Sequence, residues 1–154
     1  MVRRRDFIAR LGGSLALPLT ASAQPGERMR RVGVLTTFDE TDPWSQKELS
    51  AFTRGLAELG WIVGRNLQID IRQSAGNLER ASAFAKELVG LQPDVILSES
   101  TPPTAALQRE TRTIPIVIQG VSDPIGSGFI AGLPRPGGNI TALAGWSRRW
   151  GASG

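Results

Sequence analysis

A chain of 154 residues that contains no cysteine and no histidine has length for one domain, and it excludes disulfides, thiolate metal sites, cysteine nucleophiles and any serine–histidine triad. The formal charge of +4 invites a nucleic-acid reading, which the distribution of charge opposes. Arg3, Arg4, Arg5 and Arg10 fall in the first ten residues with Asp6 as the only acid, and the chain beyond residue 23 holds 14 basic and 13 acidic residues, too even a balance for a footprint on nucleic acid.

Residues 1–23 read as a secretory signal. Arg3-Arg4-Arg5 forms its basic start, Leu11 to Thr20 its apolar stretch, and Ala21-Ser22-Ala23 the small residues that precede cleavage before Gln24. Arg4-Arg5-Asp6-Phe7-Ile8 resembles the twin-arginine export motif, with an ordinary Sec signal as the alternative. The apolar stretch is shorter than the roughly 20 residues a membrane-spanning helix needs. No stable span is therefore expected after cleavage, and the mature chain is expected in the periplasm. Residues 24–31 read as a flexible lead-in.

Strand and helix signals then alternate, which points to βαβ units and a parallel sheet. Val32-Gly33-Val34-Leu35 is a continuous apolar run, as in a strand buried on both faces. Asp42 caps and Pro43 starts a helix whose stripe is Leu49, Phe52, Leu56 and Leu59, and Gly60 closes it. Leu67, Ile69 and Ile71 alternate with Gln68, Asp70 and Arg72, the pattern of a half-exposed edge strand. Asn77 caps a second helix with the stripe Ala81, Phe84, Ala85 and Leu88. Asp94 to Leu97 is a third strand; Thr101 caps and Pro102 starts a third helix, which runs to about Thr111. Pro115 to Ile118 is a fourth strand. A short helix is expected from about Pro124 to Leu133, then a turn from Pro134 to Asn139 and a fifth strand from Ile140 to Leu143. Buried strands one, three and four with an edge strand two predict a three-layer α/β fold on an open parallel sheet of order 2-1-3-4-5.

Ligands of open α/β sheets bind beyond the carboxyl ends of the strands. Three polar clusters fall there: Thr36-Thr37-Phe38-Asp39, Ser98-Glu99-Ser100-Thr101, and Gln119 to Pro124. Hydroxyls and helix-start amides suit a carboxylate, and Phe38 offers a stacking face. Asp123 either meets a ligand amine or caps the segment after Pro124. Glu99 and Asp123 form a catalytic pair only if the fold brings them together, and nothing in the sequence fixes their separation. Gly126-Ser127-Gly128 lacks the spacing of a dinucleotide fingerprint.

The segments Arg31–Leu35, Phe52–Trp61, Gly64–Leu67, Pro93–Leu97, Thr113–Val117, Val121–Gly126 and Arg135–Thr141 together resemble the periplasmic substrate-binding proteins of tryptophan/tyrosine-type ABC importers. The resemblance implies a type I periplasmic-binding-protein fold, in which two α/β lobes close by a hinge on a small ligand and then dock on an ABC permease in the inner membrane. On this chain the first lobe spans residues 32–144, with no catalytic residue, metal or cofactor. Its ligand contacts would be Thr36, Phe38, Ser98, Ser100, Thr101, Ser122 and Asp123, assigned by strand-end position. The ligand expected is an aromatic amino acid or a related small anion. Residues 145–154 do not continue the family pattern, so the expectation is a truncated N-terminal lobe whose binding is impaired by loss of the second. The alternatives are a small flavodoxin-like cofactor-binding enzyme or carrier and a single-lobe binding protein that works as a dimer.

Overall fold

The computed structural model describes residues 28–132 and 137–143; the signal segment, the first half of the lead-in, part of the turn expected from Pro134 and the final eleven residues lie outside them. Five strands form one sheet in the order β2-β1-β3-β4-β5. They are β1 (Arg30–Thr36), β2 (Leu67–Gln73), β3 (Val95–Glu99), β4 (Ile116–Gln119) and β5 (Ile140–Ala142). Every pairing is parallel. Three helices fill the first three crossovers: α1 (Pro43–Glu58), α2 (Leu78–Gly90) and α3 (Thr101–Glu110). The α/β class and the predicted strand order both hold. β1 starts two residues earlier than its apolar run, because the Arg30 amide reaches the Asn66 carbonyl at 3.0 Å. No helix among the described residues is long and apolar enough to cross a membrane.

The two faces of the sheet are covered unequally. On one face α2 and α3 pack over Leu35, Ile96, Ile116, Ile118 and Ile140, and Ala81, Ala85, Leu88, Ala106 and Leu107 complete that core. Gly33 lets α2 come close, since a Cβ there would lie 3.3 Å from both Ile96 Cγ1 and Leu88 Cδ2. On the other face, among the described residues, α1 alone packs, with Leu49, Phe52 and Leu56 against Val32, Val34, Leu67 and Leu97. Edge strand β2 alternates as its sequence predicts. Leu67 and Ile69 turn to α1, while Asp70 and Arg72 pair with Arg31 at 3.0 Å and Glu87 at 2.9 Å.

Helix starts follow their capping residues. Asp42 Oδ1 accepts from the Ser45 amide at 2.9 Å, and Asn77 Oδ1 accepts from the Arg80 amide at 2.9 Å. Three expectations are corrected. Leu59 lies past the end of α1 and is 77% exposed; Trp61, brought back by its amide bond to the Leu56 carbonyl at 2.8 Å, takes its place against the core. Thr101 is the first residue of α3 and Ser100 is its cap. No helix follows Pro124: residues 124–128 form a turn, since Gly126 and Gly128 favour other conformations and Gly128 adopts φ +75°. That turn lets Phe129 and Ile130 enter the larger core.

Removing the side chain of Leu35, which is fully buried, should cost about 2–5 kcal/mol as Leu35→Ala. The same change at Leu59 should stay within about 0.5 kcal/mol. Urea denaturation of the two variants checks the contrast.

Candidate ligand-binding rim

Because all strands run parallel, their carboxyl ends share one edge of the sheet. Thr36, Glu99 and Gln119 are the last residues of β1, β3 and β4, and the chain turns away from each into a loop. Strand alternation puts Thr36 on the α1 face with Val34, and Glu99 there with Leu97. Ser98 takes the opposite face.

The seven predicted positions fall into different environments. Thr36 is 1% exposed; its Oγ1 accepts the Phe38 amide at 3.1 Å and its hydroxyl bonds the Glu99 carboxylate. Phe38 is half-buried and lies against Trp44, ring centroids 4.9 Å apart at 52°. Ser98 is fully buried and 2.8 Å from Thr104 Oγ1. Thr104 spends its own hydrogen on the Ser100 carbonyl at 2.7 Å, so the Ser98 hydroxyl is the donor. Ser98 thereby fastens β3 to α3 beneath the rim. Thr101, Ser122 and Asp123 are exposed. Asp123 Oδ1 accepts the Gly126 amide at 2.8 Å and closes the turn after Pro124.

Ser100 stands apart. Its φ of 75° with ψ of 170° belongs to a region that is essentially reserved for glycine and costs other residues about 1–3 kcal/mol. Its Oγ is buried without a hydrogen-bond partner among the described residues. The Ser100 amide donates to the Gln119 carbonyl at 3.0 Å, which joins the ends of β3 and β4. Gly120, at φ +64°, lies close to this corner, where a Cβ would meet Glu99 Cγ at 3.7 Å.

The helix starts are less suited to an anion than strand-end position alone implies. α3 begins Thr101-Pro102-Pro103, and proline carries no amide hydrogen, so two of the donors a helix start ordinarily offers are missing. At α1 and α2 the side chains of Asp42 and Asn77 already accept from the first turn. Asp39 is engaged locally: hydrogen bonds from the Thr41 amide and hydroxyl at 2.9 and 2.8 Å hold its carboxyl below the usual aspartate range.

Below the rim a cavity of about 190 Å³ opens between α1 and the sheet, with Val34, Leu49, Phe52 and Leu97 among its apolar walls. Ser45, Glu48, Glu99 and Gln119 supply its polar lining. Ser45 is itself buried and accepts from Gln73 Nε2 at 3.1 Å. The sequence placed Glu99 and Gln119 in their strand-end clusters without naming either as a ligand contact, and it did not single out Ser45 or Glu48. The signal for Glu99 was present in the two-residue strand period, which puts it on the α1 side with Val95 and Leu97.

Burial pushes the Glu99 carboxyl above the ordinary glutamate value; the Thr36 hydrogen bond opposes this, and the charges of Glu48 and Asp42 add to it. The folded chain therefore holds this proton more tightly than the unfolded chain. Glu99 costs no stability below the ordinary value of about 4.3, and its cost grows as pH rises through the raised value. Glu99→Gln should gain stability over the wild type at neutral pH and lose that advantage below pH 4, as measured by urea unfolding across pH. Ser100→Gly should stabilise by about 1 kcal/mol in the same assay through relief of backbone strain.

Comparison with known proteins agrees with this architecture. The family model described as ABC transporter substrate binding protein matches residues 32–148. A tyrosine-binding protein of Clostridioides difficile is 26% identical over 118 residues, which cover 77% of this chain and 34% of that protein. The crystal structure of a conserved domain protein from Vibrio cholerae is similar with a TM-score of 0.71 and 33% identity, over 77% of this chain and 40% of that one. An ABC domain from Streptococcus pneumoniae in complex with L-Trp is similar with a TM-score of 0.68 and 28% identity, over 75% of this chain and 38% of that one. The chain thus spans about a third of the length of the curated relative, and the family match runs a few residues past Ala144. With a match over most of its length, the chain belongs to the ABC transporter substrate binding protein family.

Proposed function

We propose that this chain is the extracytoplasmic solute-binding component of an ABC importer, and that the described lobe supplies one wall of its ligand cleft. The observation that carries this reading is the meeting of Thr36, Glu99, Ser100 and Gln119 at adjacent parallel strand ends, directly above a half-apolar cavity. Strand ends of this kind are where open α/β sheets bind small molecules. Thr36, Phe38, Ser100, Thr101, Ser122 and Asp123 form the ligand wall in this reading, and Ser98 sets the position of Ser100 from below. The relatives named for tyrosine and solved with L-Trp support an aromatic amino acid as ligand, and Phe38 against Trp44 adds an aromatic surface to this wall. The protein acts by binding and release, without catalysis, and hands its ligand to a permease of the inner membrane. Export through the segment 1–23, with cleavage before Gln24, places it in the periplasm. Cleft closure brings a second wall onto the ligand, so this lobe alone binds weakly.

Thermal unfolding of the chain with L-tryptophan, L-tyrosine or a neutral sugar tests the reading. The aromatic amino acids should stabilise it progressively with concentration in the millimolar range, by about 1.4 kcal/mol at a tenfold excess over Kd, and the sugar should not. A melting temperature that responds to neither amino acid would overturn it.

A further inference from the structure

The rim holds a carboxylate that no described cation balances. Glu99 is 9% exposed. The groups around it are the Thr36 hydroxyl from β1, two further carboxylates from the start of α1, Glu48 and Asp42, and Gln119, its pairing partner in β4. None of the ion pairs among the described residues includes it. A buried carboxylate is ordinarily paired with a cation or saturated with hydrogen bonds. Around Glu99 the described charges are negative, and the start of α3 offers few amide donors to an anion. The adjoining cavity adds apolar walls to this charge, Phe52 and Leu97 among them.

We propose that Glu99 is the specificity-determining residue of this lobe and selects a ligand that carries a primary ammonium on an apolar body. The ammonium sits at the Glu99 carboxylate and the mouth of the cavity, and the apolar part lies toward Phe52 and Leu97. The attraction is strong because the carboxylate is largely shielded from water and the hydrogen bonds formed are charge-assisted. The neighbouring charges of Glu48 and Asp42, which favour the proton on Glu99, favour an arriving ammonium in the same way. This deepens the solute-binding reading and rests on it. It reverses one expectation of the sequence, since the group read by this lobe is the cation of the ligand and not its carboxylate.

The test uses the full chain and two probes of one shape and opposite charge. Tryptamine carries the ammonium without a carboxylate, and indole-3-propionate carries the carboxylate without an ammonium. Calorimetric titration at neutral pH should show tryptamine binding at least tenfold more tightly than indole-3-propionate. Glu99→Gln, with its fold checked by circular dichroism, should lose most of that preference. The preference is read on the wild-type protein, so it does not depend on the variant folding. Equal affinity for the two probes, or a Glu99→Gln protein that holds tryptamine as tightly as the wild type, would sink the inference. If indole-3-propionate or L-tryptophan binds and tryptamine does not, Glu99 is excluded while the solute-binding reading stands. If none of the three binds, both fall.

Discussion

Parallel pairing of β1 with β2 on one side and with β3 on the other fixes the direction in which every other element must run. A parallel neighbour can be reached only by a crossover; the first three crossovers each hold a helix, and the fourth, from β4 to β5, passes through the turn at 124–128. The carboxyl ends of the strands consequently collect on a single edge, where Thr36, Glu99 and Gln119 end their strands side by side. The opposite edge is closed by charge: Asp94 accepts the Arg31 amide at 2.8 Å and pairs with Arg30 at 3.1 Å. These hydrogen bonds hold the Asp94 carboxyl below its usual range. One edge of the sheet is tied down and the other is left to loops, which is the division a binding protein needs.

The polar chemistry of the free edge follows from strand period as much as from loop composition. In β3 the alternation sends Ser98 toward α3 and Glu99 toward α1. Two adjacent polar residues thus acquire opposite roles. Ser98 completes a buried hydroxyl chain through Thr104 to the Ser100 carbonyl. Glu99 meets a cavity that it shares with Glu48, and the charges of Glu48 and Asp42 raise the cost of its own.

The fold was legible in the sequence wherever burial dictates residue type. The unbroken apolar runs of β1 and β3 and the alternation of β2 were enough to order the sheet, because a strand covered on both faces and a strand covered on one differ in composition. Asp42 and Asn77 marked their helices because a cap is local chemistry. The segment after Pro124 misled, since its apolar residues serve a turn closed by Asp123 and enter the core from a loop. Leu59 misled because helical spacing continues in sequence after the helix has ended. The site was legible only as a rim. Which strand-end side chains reach the α1 face depends on strand period, and the cavity lies between those side chains and α1. The donors missing at the start of α3 could be read from Pro102 and Pro103, but their cost appears only once Thr101 is known to be the first helical residue.

Ser100 works as a rigid joint. Its amide is held by Gln119 and its carbonyl by Thr104, so β3, β4 and the first turn of α3 meet at one residue. A push on either strand end is passed to the axis of α3, because the loop between has no slack to absorb it. In the proposed solute-binding reading, this corner of the rim would therefore meet a ligand as a stiff surface, braced from behind by the start of α3.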